Sequence, residues 1–178
     1  VDSATLLGIE SHPVRVEVDV TSGLQNYTLV GLPDASAAES RERVQGALRN
    51  SGYHQLNRRV TVNLAPGEIR KEGPRFDLAI ALGVLAADTD KPPLRVDDLR
   101  DSMVLGELAM DGSIRPIRGV LSSVMLARSM RVSRVMVPLL NGPEAALVSD
   151  VQVLAVRDLR EAVEVLAGRE SPAPSRCP

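Results

Sequence analysis

Aromatic side chains are almost missing from this sequence: it has one Phe, two Tyr and no Trp in 178 residues. Its core must therefore be built from Val, Leu, Ile, Ala and Met. Nucleic-acid binding by stacking bases on side-chain rings needs exposed aromatics, so that mode is disfavoured. Lysine is scarce too, with only Lys71 and Lys91. Lys71 precedes Glu72 and Lys91 precedes Pro92, so neither completes a Gly-x4-Gly-Lys-Ser/Thr loop, whose lysine must reach nucleotide phosphates. The single Cys, Cys177, lies in the tail. No internal disulfide can form, and a reducing, cytoplasmic compartment is expected. No apolar run approaches the ~18 residues of a membrane span, and no basic-then-apolar leader opens the chain as given. No membrane partner is expected. The first residue, Val1, is not Met, which reads as part of a longer protein. His12 and His54 are isolated in turns with no Cys beside them, so no metal site is expected. A Gly-x-Ser-x-Gly elbow is also missing.

What is present fits one globular domain. At this length a domain buries roughly 70% of the surface its unfolded chain exposes, enough for a core without staples. The charge is −2 overall but unevenly spread. Residues 41–75 hold eight basic and three acidic groups, 76–111 hold three basic and eight acidic, and 112–134 hold five Arg and no carboxylate. Two basic blocks thus flank an acidic one, either as solvated faces or as a dipolar surface for a charged partner.

Periodicity gives the elements. Residues 4–10 and 14–20 read as strands joined by a turn at Ser11-His12-Pro13. Val14, Val16, Val18 and Val20 alternate with charged residues, the period of a half-buried strand. A third strand spans 27–32. A helix starts at Pro33-Asp34, capped by Asp34, and ends at Ser51-Gly52. Its apolar face is Ala37, Val44, Ala47 and Leu48. Residues 59–64 form a fourth strand and 65–76 a loop. Asp77 then caps an all-round apolar helix over 78–87, which should be buried. An acidic loop fills 88–101. Residues 102–109 and 113–117 pair as a hairpin around Asp111-Gly112. Helices over 120–130, 143–148 and 159–167 alternate with strands over 135–138 and 151–156, so the class is α/β (α+β). Gly168 closes the domain, and 169–178 read as a Pro-rich linker.

Three runs carry a resemblance: Tyr27-Thr-Leu-Val-Gly-Leu-Pro-Asp-Ala-Ser36, Arg59-Val-Thr-Val-Asn-Leu-Ala-Pro66 and Lys71-Glu-Gly-Pro-Arg-Phe-Asp-Leu-Ala-Ile-Ala-Leu82. With Leu105-Gly-Glu-Leu-Ala-Met-Asp-Gly-Ser-Ile-Arg-Pro-Ile-Arg-Gly119, they resemble the N-terminal domain of the YifB/ComM proteins, AAA+ ATPases related to magnesium chelatase subunit I. That domain is similar to the Lon proteolytic domain and the RadA C-terminal domain. The resemblance implies a ribosomal protein S5 domain 2-like fold over 1–168. It also implies a linker leading to an ATPase domain that would hold ATP and Mg. The implied partners are that ATPase domain, neighbouring protomers of a hexamer, and DNA. The implied activity of the whole protein is helicase-driven branch migration in recombination and natural transformation.

Set against Lon, the nucleophilic Ser falls at Arg75 and its partner Lys at about Leu121. A Ser–Lys dyad needs a desolvated Lys to take the Ser proton, whereas Arg stays charged and is a poor base. Ser122 and Ser123 are within reach of the region but have no base. The resemblance therefore implies a vacated catalytic loop at 67–77, with no catalytic residue in this domain. Arg70, Lys71, Arg75, Arg115 and Arg118 are the site candidates. Three uses are open: phosphate contact with DNA, contact with the acidic loop of a neighbouring protomer, or internal pairing with Glu68, Glu72, Asp77, Glu107 and Asp111. For the whole protein, the alternatives are a plain oligomerisation module of a chelatase-like ATPase and a degenerate Lon-type peptidase.

Overall fold

The computed structural model describes residues 1–53, 57–88 and 92–174. His54, Lys91 and Cys177 lie outside the described residues. Strands β1 (Asp2–Leu7) and β2 (Glu10–Thr21) form an antiparallel hairpin in which Ala4 faces Pro13 and Leu7 faces Glu10. The turn is therefore at Gly8-Ile9, not at Ser11-His12-Pro13. Gly8 has φ +64°, a left-handed turn conformation that glycine adopts without steric cost. Pro13 is tolerated inside β2 because the ladder to the next strand starts only at Arg15.

β3 (Asn26–Val30) runs parallel to β4 (Arg59–Ala65), and β4 is antiparallel to β2. Between them the expected single helix is two: α1 (Ala35–Ala38) and α2 (Ser40–Asn50), separated at Glu39. Asp34 caps α1 as expected, accepting the Ala37 N–H at 2.7 Å. α3 (Asp77–Ala87) is buried along nearly its whole length, as its all-round apolar sequence requires.

β5 (Ser102–Val104) is not half of a hairpin. It joins the main sheet beside β1, in parallel. Only β6 (Glu107–Leu108) and β7 (Ile114–Arg115) form the small hairpin around Asp111-Gly112. Gly106 explains the split: its N–H donates to the Arg75 carbonyl at 3.0 Å and its carbonyl accepts from Leu78 N at 3.1 Å, diverting the chain off the sheet. α4 (Val120–Ser129), β8 (Arg134–Pro138), α5 (Gly142–Ala145), β9 (Gln152–Val156) and α6 (Leu159–Leu166) complete the chain. Ala173 bridges back to Ala155, so the 169–174 tail lies against β9.

The main sheet has seven strands in the order β3-β4-β2-β1-β5-β8-β9. One apolar cluster lies between the sheet and α2, α3 and α6, and a second lies between it and α4 and α5. β5, β8 and β9 are covered on both faces, so their apolar runs are continuous. β2 and β4 alternate because one of their faces meets solvent.

Candidate functional site

The 65–76 loop is held by its own backbone. Lys71 N–H donates to the Leu32 carbonyl at 3.0 Å, and the Lys71 carbonyl accepts from Asp34 N at 2.9 Å. The second carboxylate oxygen of Asp34 accepts the Gly73 N–H at 2.9 Å, so one side chain both caps α1 and anchors the loop. Gly31 makes this crossing possible. Its φ is +104°, and a Cβ there would stand 2.1 Å from the Leu64 carbonyl oxygen.

Asp77 is not the helix cap its position suggested. The N-cap of α3 is Phe76. The Asp77 carboxylate is instead buried against Arg43, whose Nε and Nη2 donate to it at 2.5 and 3.1 Å, and it also accepts the Leu108 N–H. The pair ties α2, α3 and β6 together. Burial is the largest influence on Asp77 and pushes its pKa up to about 6, outweighing the pull of Arg43 in the other direction.

The five candidate cations do not form one open cluster. Lys71 is fully buried, and its ammonium donates to the Pro66 carbonyl, with burial lowering its pKa. Arg75 is 5% exposed, and burial lowers its pKa to about 10. Its Nη2 donates to Ser123 Oγ at 2.9 Å, and its Nη1 approaches the Arg118 carbonyl at 3.5 Å. Arg115 is exposed and pairs with Glu107 at 3.4 Å. Arg70 and Arg118 are exposed, with no ion pair among the described residues. Of the five cations and five acids considered for internal pairing, Arg115 and Glu107 are the one pair formed among the described residues. Asp77 is taken by Arg43, and Asp111 accepts from Ser113.

Between residues 73–75 and 116–118 lies an open groove of about 490 Å³, also lined by Leu6, Asp34, Glu72 and Glu107. Leu121 is not among its lining residues. It is partly exposed, and its N–H donates to Glu144. Ser123 takes the place facing Arg75. It is fully buried, donates to the Gly119 carbonyl at 3.1 Å and shares a 2.9 Å hydrogen bond with Ser11. Ser122 points elsewhere, to the Ile9 carbonyl. The Arg43–Asp77 pair leaves no signal in the sequence, because Asp at a helix start reads first as a cap. A separate pocket beside Tyr27, Val44 and Leu48 has about 20 Å³, room for little more than a water.

A family model for subunit ChlI of Mg-chelatase matches residues 16–141, which is most of the chain. The chain belongs to this ChlI family. Among the relatives of this ChlI-family chain, an uncharacterised protein of Mycobacterium tuberculosis is 42% identical over 93% of the chain and 32% of its own length. Competence protein ComM of Haemophilus influenzae is 36% identical over 94% of the chain and 32% of its own length. YifB of Escherichia coli is 35% identical over 98% of the chain and 34% of its own length. The chain thus spans about a third of the length of the curated relatives it matches. More distant matches to Lon protease 2 of Thermus thermophilus, at 29% identity, and to DNA repair protein RadA of Listeria monocytogenes, at 30%, agree with the α/β class. The resemblance drawn from residues 27–119 therefore holds at the level of family and fold. Within the ChlI-family chain, no helix among the described residues is long and apolar enough to cross a membrane.

Proposed function

We propose that this chain is a non-catalytic accessory domain of a ComM/YifB-type AAA+ ATPase, and that it serves assembly of that ATPase rather than bond cleavage. Arg75 carries the reading. A buried guanidinium occupies the place of a Lon-type nucleophile and stays charged at neutral pH. The neighbouring hydroxyl, Ser123, contacts Arg75, Ser11 and the Gly119 carbonyl, none of which can take its proton.

Assembly is favoured over a phosphate track by the charges around the groove. Two of the five cations are buried, and Asp34, Glu72 and Glu107 line the opening. Exposed Leu7, Ile9, Leu121 and Met125 lie on β1, the adjoining turn and α4, where Ser122 meets Ile9. Exposed apolar side chains grouped like this are typical of protein contacts. DNA contact is the second reading, favoured by Arg70 and Arg118, which are exposed and make no ion pair among the described residues. Such contacts would be independent of base sequence and weaken with salt. The output of the whole protein in this reading is branch migration of DNA in recombination and natural transformation, driven by a hexamer. ATP and Mg are assigned to the rest of the protein. The only lysine of the 65–76 loop is buried against the Pro66 carbonyl, so this site does not fit a nucleotide's phosphates.

Two double variants of the full-length protein separate the readings. Ile9→Asp with Met125→Asp is expected to shift rings toward smaller species in sedimentation velocity, while Arg70→Ala with Arg118→Ala leaves ring size unchanged. Unchanged rings in the first variant would overturn the assembly reading. Loss of salt-sensitive DNA binding only in the second would establish the DNA reading.

A further inference from the structure

Arg75 carries a charge that nothing among the described residues balances. Ser123 and the Arg118 carbonyl take two of the five N–H groups a guanidinium offers. Its Nε is buried without a partner among the described residues. The nearby acids are engaged elsewhere or stand at the rim. Asp34 holds Ala37 and Gly73, Asp77 is paired with Arg43, Glu107 is paired with Arg115, and Glu72 is exposed.

The helices around Arg75 bring it no free anion. α3 starts two residues after Arg75 and α4 starts at Val120, next to the Arg118 and Ser123 groups that Arg75 touches. Asp77 in the first turn of α3 is held by Arg43, and Glu144 accepts the Leu121 N–H in the first turn of α4. Neither carboxylate pairs with Arg75 among the described residues, so its charge stays unbalanced. Leaving such a charge unpaired is costly, and an anion would relieve it.

We propose that the groove between residues 73–75 and 116–118 binds a carboxylate, seated against Arg75 at the meeting of the α3 and α4 N-termini. A single negative charge matches one guanidinium, whereas a phosphate dianion would be repelled by Asp34, Glu72 and Glu107 at the same opening. Leu6, Pro74, Pro116 and Ile117 supply an apolar wall for the carbon body of the ligand. The carboxylate comes either from a small free acid or from an acidic side chain of a second copy of this chain. The site stands whether or not the chain builds rings.

The test is thermal unfolding of this chain with acetate, isobutyrate and N-acetylglutamate, against chloride and phosphate at matched ionic strength. A saturable rise in Tm with the carboxylates is expected, larger than with phosphate. Arg75→Gln is expected to weaken that response by roughly tenfold or more, the loss of a charge-assisted hydrogen bond. Should Arg75→Gln not fold, the Nε–H resonance of Arg75, assigned through bonds in the labelled unaltered chain, should move on adding acetate and not on adding chloride. If free acids have no effect but the chain self-associates at high concentration in an Arg75-dependent manner, the carboxylate comes from a second copy. The proposal is overturned if neither Tm, the resonance nor self-association responds. It is also overturned if Arg75→Gln responds like the unaltered chain, or if phosphate stabilises more than every carboxylate.

Discussion

Replacing Arg43 with Met would leave the Asp77 carboxylate buried and alone. Asp77 is 1% exposed at its side chain and Arg43 is 16% exposed, with two hydrogen bonds between them. Removing one partner of such a pair typically costs about 3–5 kcal/mol, because the other charge stays desolvated. At roughly 2–4 °C per kcal/mol for a domain of this size, Tm should fall by at least about 6 °C at pH 7. The pH dependence gives the sharper signature. The folded pKa of Asp77, about 6, lies above its ordinary 3.8. Between those values the folded state keeps a proton that the unfolded state releases, so the stability from this group falls as pH rises through the window. Without Arg43 the folded pKa should climb further and the cost should extend to neutral pH. Acidification from pH 7 to 5 should then recover much of the loss in Arg43→Met. Asp77→Asn keeps an acceptor for Leu108 N and leaves Arg43, which is less buried and also stands 3.6 Å from Glu39, so at pH 7 it should cost less than Arg43→Met. The double variant should lie well above Arg43→Met alone. Urea melts of the four proteins at pH 5 and pH 7 supply the numbers. An Arg43→Met cost that is negligible at pH 7, or the same at both pH values, would refute the reasoning.

Other substitutions have definite expectations. Gly31→Ala places a methyl 2.1 Å from the Leu64 carbonyl oxygen at φ +104°, and should cost more than about 3 kcal/mol or prevent folding, as read by soluble yield and urea midpoint. Asp34→Ala removes a helix cap and the anchor of Gly73 and should cost about 1–2 kcal/mol in the same melts. Ser123→Ala strands an Arg75 donor and should cost about 1–3 kcal/mol. Arg75→Ser alone should yield no hydrolysis of a fluorogenic peptide, because no lysine stands at Leu121 to accept the serine proton.

The elements were largely legible because each has its own period. The alternating valines of β2 and the all-apolar run of α3 leave little choice of register or burial. The family too was readable, because the runs around 27–36, 59–82 and 105–119 are distinctive. Most of the differences depend on contacts distant in sequence, and one on a local turn. Ser11-His12-Pro13 reads as a turn, yet Gly8 takes the left-handed conformation and Pro13 sits where no ladder needs its nitrogen. Asp77 looked like a cap because local sequence cannot show Arg43 approaching from α2. The cation cluster looked open because charge counting does not register burial, and Lys71 and Arg75 face inward. Ser123, rather than Leu121, meets Arg75 because the backbone after Gly119 enters α4 with Ser123 turned toward the sheet, within reach of Ser11.

The most direct test of the accessory role is branch migration of a labelled DNA junction by the full-length protein, with and without residues 1–168. The account predicts that the deletion abolishes or strongly slows migration together with loss of stable rings. Rings and migration that persist at the full-length rate would contradict it.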